Sequence, residues 1–207
     1  MKKEIYNYLN QYKTLYNNDL ILNNKLNQNY NSIKKCIKCS LNNTKTNFIF
    51  GAGNPSSDIV FIGDILDESE NLTKVSSDNR IGKLLEKILL AINLKRDDVY
   101  IINILKYKPA ENANFIREEI AICDSCFKEK IKKINPKLIV ALGKSSAMMF
   151  LHTKDSLINL RNKIHKYEGT DLLVTYHPKD LLNNPACKKP TWKDFKFIRD
   201  NYLNGTN

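Results

Sequence analysis

Cysteine spacing is the first chemical signal in this chain. Cys36 and Cys39 form CIKC, Cys123 and Cys126 form CDSC, and Cys187 stands alone. A CxxC pair offers two soft thiolates to one metal, and two such pairs supply the four donors of a zinc site or an iron–sulfur centre. The long gap between the pairs is unlike a compact zinc ribbon. The spacing instead predicts a clamp between the N-terminal segment and a distant helix, with Cys123 and Cys126 one turn apart on the same side of it. Three further residues follow apolar runs, where a buried strand would end. Asp64 follows DIVFIG, and a carboxylate there can position water or stabilise positive charge; a plain turn aspartate is the alternative. Asn103 closes DVYIIN, and its amide offers both the donor and the acceptor that reading a base edge needs. His177 precedes Pro178 after DLLVTY, and a histidine can donate to a developing anion without carrying full charge.

The elements that must position these groups alternate. DIVFIGD, DVYIINIL and PKLIVALG are short β-branched runs of the kind buried on both faces in a parallel sheet. Between and after them, RIGKLLEKILLAINL, IREEIAICDSCFKEKIKKI, KSSAMMFL and PTWKDFKFIRDNYL carry helical periodicity. KIHKYEGTDLLVTYHP reads as a hairpin or two short strands. The alternation predicts a three-layer α/β/α sandwich around a central, mainly parallel, four-stranded sheet. In such sheets the site lies at the carboxyl ends of the strands. That rule selects the surroundings of Gly63, of Asn103 and of His177.

The chain has 207 residues and is 42% hydrophobic, enough for one packed domain. Residues 1–30 read as an N-terminal helical extension, with Ile5, Leu9, Tyr12 and Tyr16 at helical spacing. No internal repeat or change of composition calls for a domain boundary, so 1–207 is expected to be a single domain. The N-terminal segment has no apolar core of a signal peptide, and no run approaches the roughly 18–20 apolar residues of a membrane span. A cytoplasmic protein with reduced thiols follows as the expectation. A net charge of +11 points to a polyanion, first nucleic acid and second an anionic membrane surface. Lysines spread along the chain predict a folded basic face, not a basic tail. Glycine-rich GAGNP precedes its strand, so it is not a dinucleotide-binding fingerprint.

The order CxxC, FGAGNPSSDIVFIGD, DVYIINILKYKP, EEIAIC, PKLIVALG, YHPKDLLNNPACKKPTWKDFKFI resembles the family-4, iron–sulfur-containing uracil-DNA glycosylases over about residues 36–200. The resemblance implies that fold, excision of uracil or a related damaged base after base flipping, and a 4Fe-4S cluster, with zinc or no metal as alternatives. It implies catalytic roles for Asp64 and His177. It places Gly63, Ile65, Ser77, Asn103 and His177 around the substrate, Asn103 reading the uracil edge and His177 facing the O2 that gains charge.

This chain departs from the family pattern at named positions. Gly63-Asp64-Ile65-Leu66-Asp67 stands where the family has Gly-Glu-Ala-Pro-Gly, and Ser77 stands where an ungapped count places its stacking Phe. Tyr107 replaces the third cysteine ligand, and Cys126 is the candidate substitute beside Cys36, Cys39 and Cys123. The expected DNA contacts are Lys106, Lys108, Arg161, Lys163 and Lys179, in a monomer that holds single-stranded or uracil-containing duplex DNA. The alternative is a catalytically weak or inactive nucleic-acid-binding protein that keeps the fold.

Overall fold

The computed structural model describes residues 51–63, 79–103, 127–128 and 131–203, all within a compact unit that runs over Cys39–Asn207. Its strands are β1 (Ala52–Gly53), β2 (Ile59–Gly63), β3 (Tyr100–Asn103), β4 (Leu138–Leu142), β5 (Ile164–Tyr167) and β6 (Thr170–Thr175). Its helices are α1 (Arg80–Leu90), α2 (Lys144–Leu151), α3 (Leu157–Leu160), α4 (Pro178–Asn183) and α5 (Lys188–Ile198), which runs on into a π turn at Arg199–Leu203. Residues 131–134 are also helical, at the end of the segment whose periodicity predicts a helix.

The strand order is β1-β3-β2-β4-β6-β5. The four inner strands are parallel, in the registers Gly63↔Asn103, Phe61↔Val140 and Leu142↔Thr175. The expected mainly parallel sheet between helices is present, but among the described residues it has six strands instead of four and is mixed. Both additions are antiparallel edges: β1 on β3 and β5 on β6. Neither carries a buried-strand pattern. β1 is two residues long. β5 is exposed apart from a partly buried His165 and a buried Tyr167, as a charged edge strand should be.

Side-chain alternation explains the layers. Val60 and Ile62 of β2 join a core with Ile139, Ala141, Ala147, Phe150, Phe127 and Ile131 on one face. Ile59 and Phe61 join Leu85, Leu89, Val140 and Phe195 on the other. Phe61 stacks on Phe195 with centroids 5.9 Å apart. α1 presents Ile81, Leu85 and Leu89 at four-residue spacing, and the Asn79 side chain caps it by accepting from Gly82 N–H at 2.8 Å. Among the described residues, no helix is long and apolar enough to cross a membrane.

The chain leaves β2 for β3 on one side and returns to β4 on the other, so the strand order reverses at β2. A crevice opens at such a point, at the carboxyl ends of the strands. Gly63, Asn103, Leu142 and Thr175 are those ends.

Candidate active site

Gly63 and Asn103 are register partners at the last positions of β2 and β3. The sheet thus brings the backbone of two expected site residues, forty positions apart in sequence, to neighbouring strand ends. Asp64, Ile65, Ser77, Lys106 and Lys108 lie outside the described residues, as do Cys36, Cys39, Cys123 and Cys126. Among the described residues no group of three or more His, Cys, Asp or Glu side chains is placed to hold a metal ion.

His177 is the chemically informative group. β6 ends at Thr175, and His177 caps the N-terminus of α4, with Pro178 at the first helical position that suits a residue lacking an N–H. Its backbone N–H donates to Asp180 Oδ2 at 3.1 Å. Its ring Nδ1 accepts from Lys179 N–H at 3.2 Å. An accepting Nδ1 puts the proton of the neutral ring on Nε2. That Nε2 is buried and has no hydrogen-bond partner among the described residues. Burial, with the Lys179 charge adding to it, pulls the His177 pKa down to about 4. At neutral pH the ring is an uncharged donor. His177 lines a cavity of about 490 Å³ with Gly143, Lys144, Ser145, Tyr176 and Asn184 among its walls. An unsatisfied buried N–H is costly, and one beside a cavity is ready for an acceptor that arrives with a ligand.

Gly143 closes β4 and starts α2 at φ +88°, a conformation that L side chains rarely adopt. Its N–H donates to Thr175 carbonyl at 2.9 Å, which ties the end of β4 to the end of β6. In the sequence Gly143 is the last residue of the run PKLIVALG. The structure adds a function, which is to leave room for His177.

Arg161 corrects an expectation. Placed by sequence among the DNA contacts, it is instead buried, with Nε and Nη2 donating to Asp194 Oδ2 at 3.0 and 2.8 Å. Its guanidinium also lies 4.5 Å from the centroid of the Tyr176 ring. The physical reason is a buried carboxylate on α5 that needs a cation. Sequence reasoning missed Asp194, although a signal existed. It falls in the stripe Thr191, Asp194, Phe195, Ile198 that α5 turns inward. Lys163 is exposed, and Lys179 is half-buried, with its backbone N–H on His177. His165 has Nε2 2.8 Å from the Leu160 carbonyl. His152 ends α2 in a left-handed conformation and is exposed.

Comparison with known proteins follows the same outline. The model of the uracil DNA glycosylase superfamily matches residues 50–196. The chain is 33% identical to a type-4 uracil-DNA glycosylase of Archaeoglobus fulgidus, covering 80% of this chain and 87% of that protein. It is 37% identical to the type-4 uracil-DNA glycosylase of Thermotoga maritima, covering 73% and 80%. It is 34% identical to that of Sulfurisphaera tokodaii, covering 80% and 79%. With a parallel core whose strand ends gather Gly63, Asn103, Gly143 and His177, and with these relatives, the chain belongs to the uracil DNA glycosylase superfamily and, within it, to the type-4 group.

Proposed function

We propose that this protein is a DNA repair glycosylase that hydrolyses the N-glycosidic bond of uracil in DNA after flipping the base out of the helix. The observation that carries the reading is the buried, neutral His177, which lines a cavity and whose Nε2–H has no hydrogen-bond partner among the described residues. As the bond between C1′ and uracil N1 breaks, its electron pair passes to the base and builds charge on O2. A preorganised neutral donor stabilises that charge without being reorganised during the step. Asn103 reads the uracil edge and Asp64 orients the water whose oxygen joins C1′. Gly63, Ile65 and Ser77 complete the pocket, and Lys106, Lys108, Lys163 and Lys179 hold the DNA backbone. The whole chain acts as one domain and a monomer, in the cytoplasm.

The donor set Cys36, Cys39, Cys123 and Cys126 suits an iron–sulfur cluster, for which four thiolates are the usual ligands; zinc is the alternative. Bound there, the centre would cross-link distant segments of the chain, and no step of base excision needs it. The deciding assay is single-turnover release of uracil from single-stranded and mismatched duplex DNA, beside His177→Ala and Asn103→Ala. Release by the native protein and its loss in both variants supports the enzyme. Salt-sensitive DNA binding without release in any of the three would show a binding module that retains the fold.

A further inference from the structure

Burying an ion pair seldom stabilises a protein more than apolar packing would, because both ions lose their water. Arg161 and Asp194 are nevertheless 6% and 3% exposed, and they sit beside the strand end that carries His177. Asp194 Oδ2 accepts twice from Arg161 and once from Thr175 Oγ1 at 2.5 Å. Burial pushes the Asp194 carboxyl up, while the bonds from Thr175 and Arg161 oppose that shift. Arg161 then covers the Tyr176 ring, a geometry in which the aromatic face attracts the cation. Thr175 and Tyr176 are the two residues immediately before His177. One is fixed to Asp194 and the other to Arg161. On the opposite side, Gly143 N–H holds the Thr175 carbonyl.

We propose that Arg161 is a positioning residue for His177: anchored by Asp194, it holds Tyr176 so that the imidazole keeps one orientation and one tautomer at the cavity. The inference deepens the glycosylase reading and rests on it for its catalytic consequence. It also separates the arginine from the lysines of the DNA face. Arg161 reaches no reacting atom. Its effect passes through Tyr176 to the donor that meets the departing base. The charged groups that share the cavity with His177 are Lys144 from α2, and Lys179 and Asp180 from α4.

The test uses the full-length protein and two variants, Arg161→Met and Tyr176→Leu. Three quantities are read at pH 7: the single-turnover rate of uracil release at saturating protein, the affinity for uracil-containing DNA across a salt series, and the ¹⁵N imidazole shifts of His177. The expected result is a rate lowered on the order of tenfold in both variants, as for a small misplacement of a reacting group. DNA affinity stays within about twofold and keeps its salt slope. The His177 shifts move from those of a single Nε2–H tautomer toward a mixture of two. Weaker binding with a shallower salt slope and an unchanged rate would make Arg161 a phosphate contact and overturn the proposal. Native rate and native His177 shifts in both variants would overturn it as well. If Arg161→Met does not fold, Tyr176→Leu decides, because it leaves the buried ion pair intact. If the native protein releases no uracil, the glycosylase reading fails by itself. The imidazole shifts then still decide whether Arg161 and Tyr176 set the state of His177.

Discussion

A Cβ placed on Gly143 would lie 3.1 Å from His177 Cβ, so the glycine that closes β4 and the histidine that follows β6 occupy adjoining space. The backbone there, at φ +88° and ψ 177°, is open to little besides glycine. Gly143→Ala should therefore cost about 1–3 kcal/mol of stability and displace His177. Urea denaturation measures the first effect. Single-turnover uracil release measures the second, with an expected fall on the order of 10–100-fold. An alanine variant of native stability and rate would mean that the two residues do not constrain one another.

The donor role of His177 predicts a graded loss. His177→Ala removes the N–H and should lower the rate of base release about 100- to 1,000-fold, the usual effect of deleting one preorganised donor to a developing anion. His177→Gln keeps an amide donor near the same place and should lose less. DNA affinity, measured in parallel, should change little in either. Equal rates for the native protein and the alanine variant would remove His177 from the chemistry.

The same histidine links stability to pH. Its folded pKa of about 4 lies below the ordinary value of 6.5, so the unfolded chain takes up the proton first as pH falls. Stability from this source is complete above pH 6.5 and declines as pH drops toward 4. At pH 4.5 the native protein should have lost roughly 2–3 kcal/mol that His177→Gln does not lose. Denaturation curves for both proteins at pH 7.5 and 4.5 provide the comparison. Over pH 6–8 the rate of base release should show no titration of His177, since the ring is already neutral.

Lys163 is exposed and belongs to the proposed DNA face. Lys163→Ala should weaken binding equally for uracil-containing and normal DNA, and flatten the plot of log affinity against log salt by about 0.7–0.9, the equivalent of one phosphate. The rate at saturating protein should stay unchanged. A variant with the native salt slope would take this lysine off the interface.

The thiolates make a separate prediction. Protein purified without oxygen should contain iron and acid-labile sulfide. Cys126→Ser should lose most of that iron if Cys126 takes the place of the ligand missing at Tyr107. Native protein free of both iron and zinc would end the metal proposal. Removal of the centre should lower thermal stability, because the four-thiolate site is assembled only in the folded chain and its binding free energy adds to that of folding.

Much of the inner sheet and part of the site were readable from sequence because their signals are local. Ile59–Gly63, Leu138–Leu142 and Thr170–Thr175 are apolar runs bounded by polar or glycine residues, and a run buried on both faces announces itself. His177 was found because it stands where such a run ends. Of the two edges, Ile164–Tyr167 was readable as the first arm of the hairpin KIHKYEGTDLLVTYHP, because it pairs with the strand that follows it directly. Ala52–Gly53 was not readable, because two residues are too short to show any period.

What the order of residues determined by itself was the layer architecture, the family and the strand ends at which to look for chemistry, since periodicity and order along the chain carry that information. Tertiary structure decided what two of the residues do. Arg161 looks like any surface arginine until Asp194, thirty-three residues later, meets it in the interior. His177 looks like an ordinary titrating histidine until burial and the Lys179 amide leave it neutral with its proton on Nε2. Both outcomes depend on desolvation and on partners distant in the chain or set by a turn, and no local pattern encodes them.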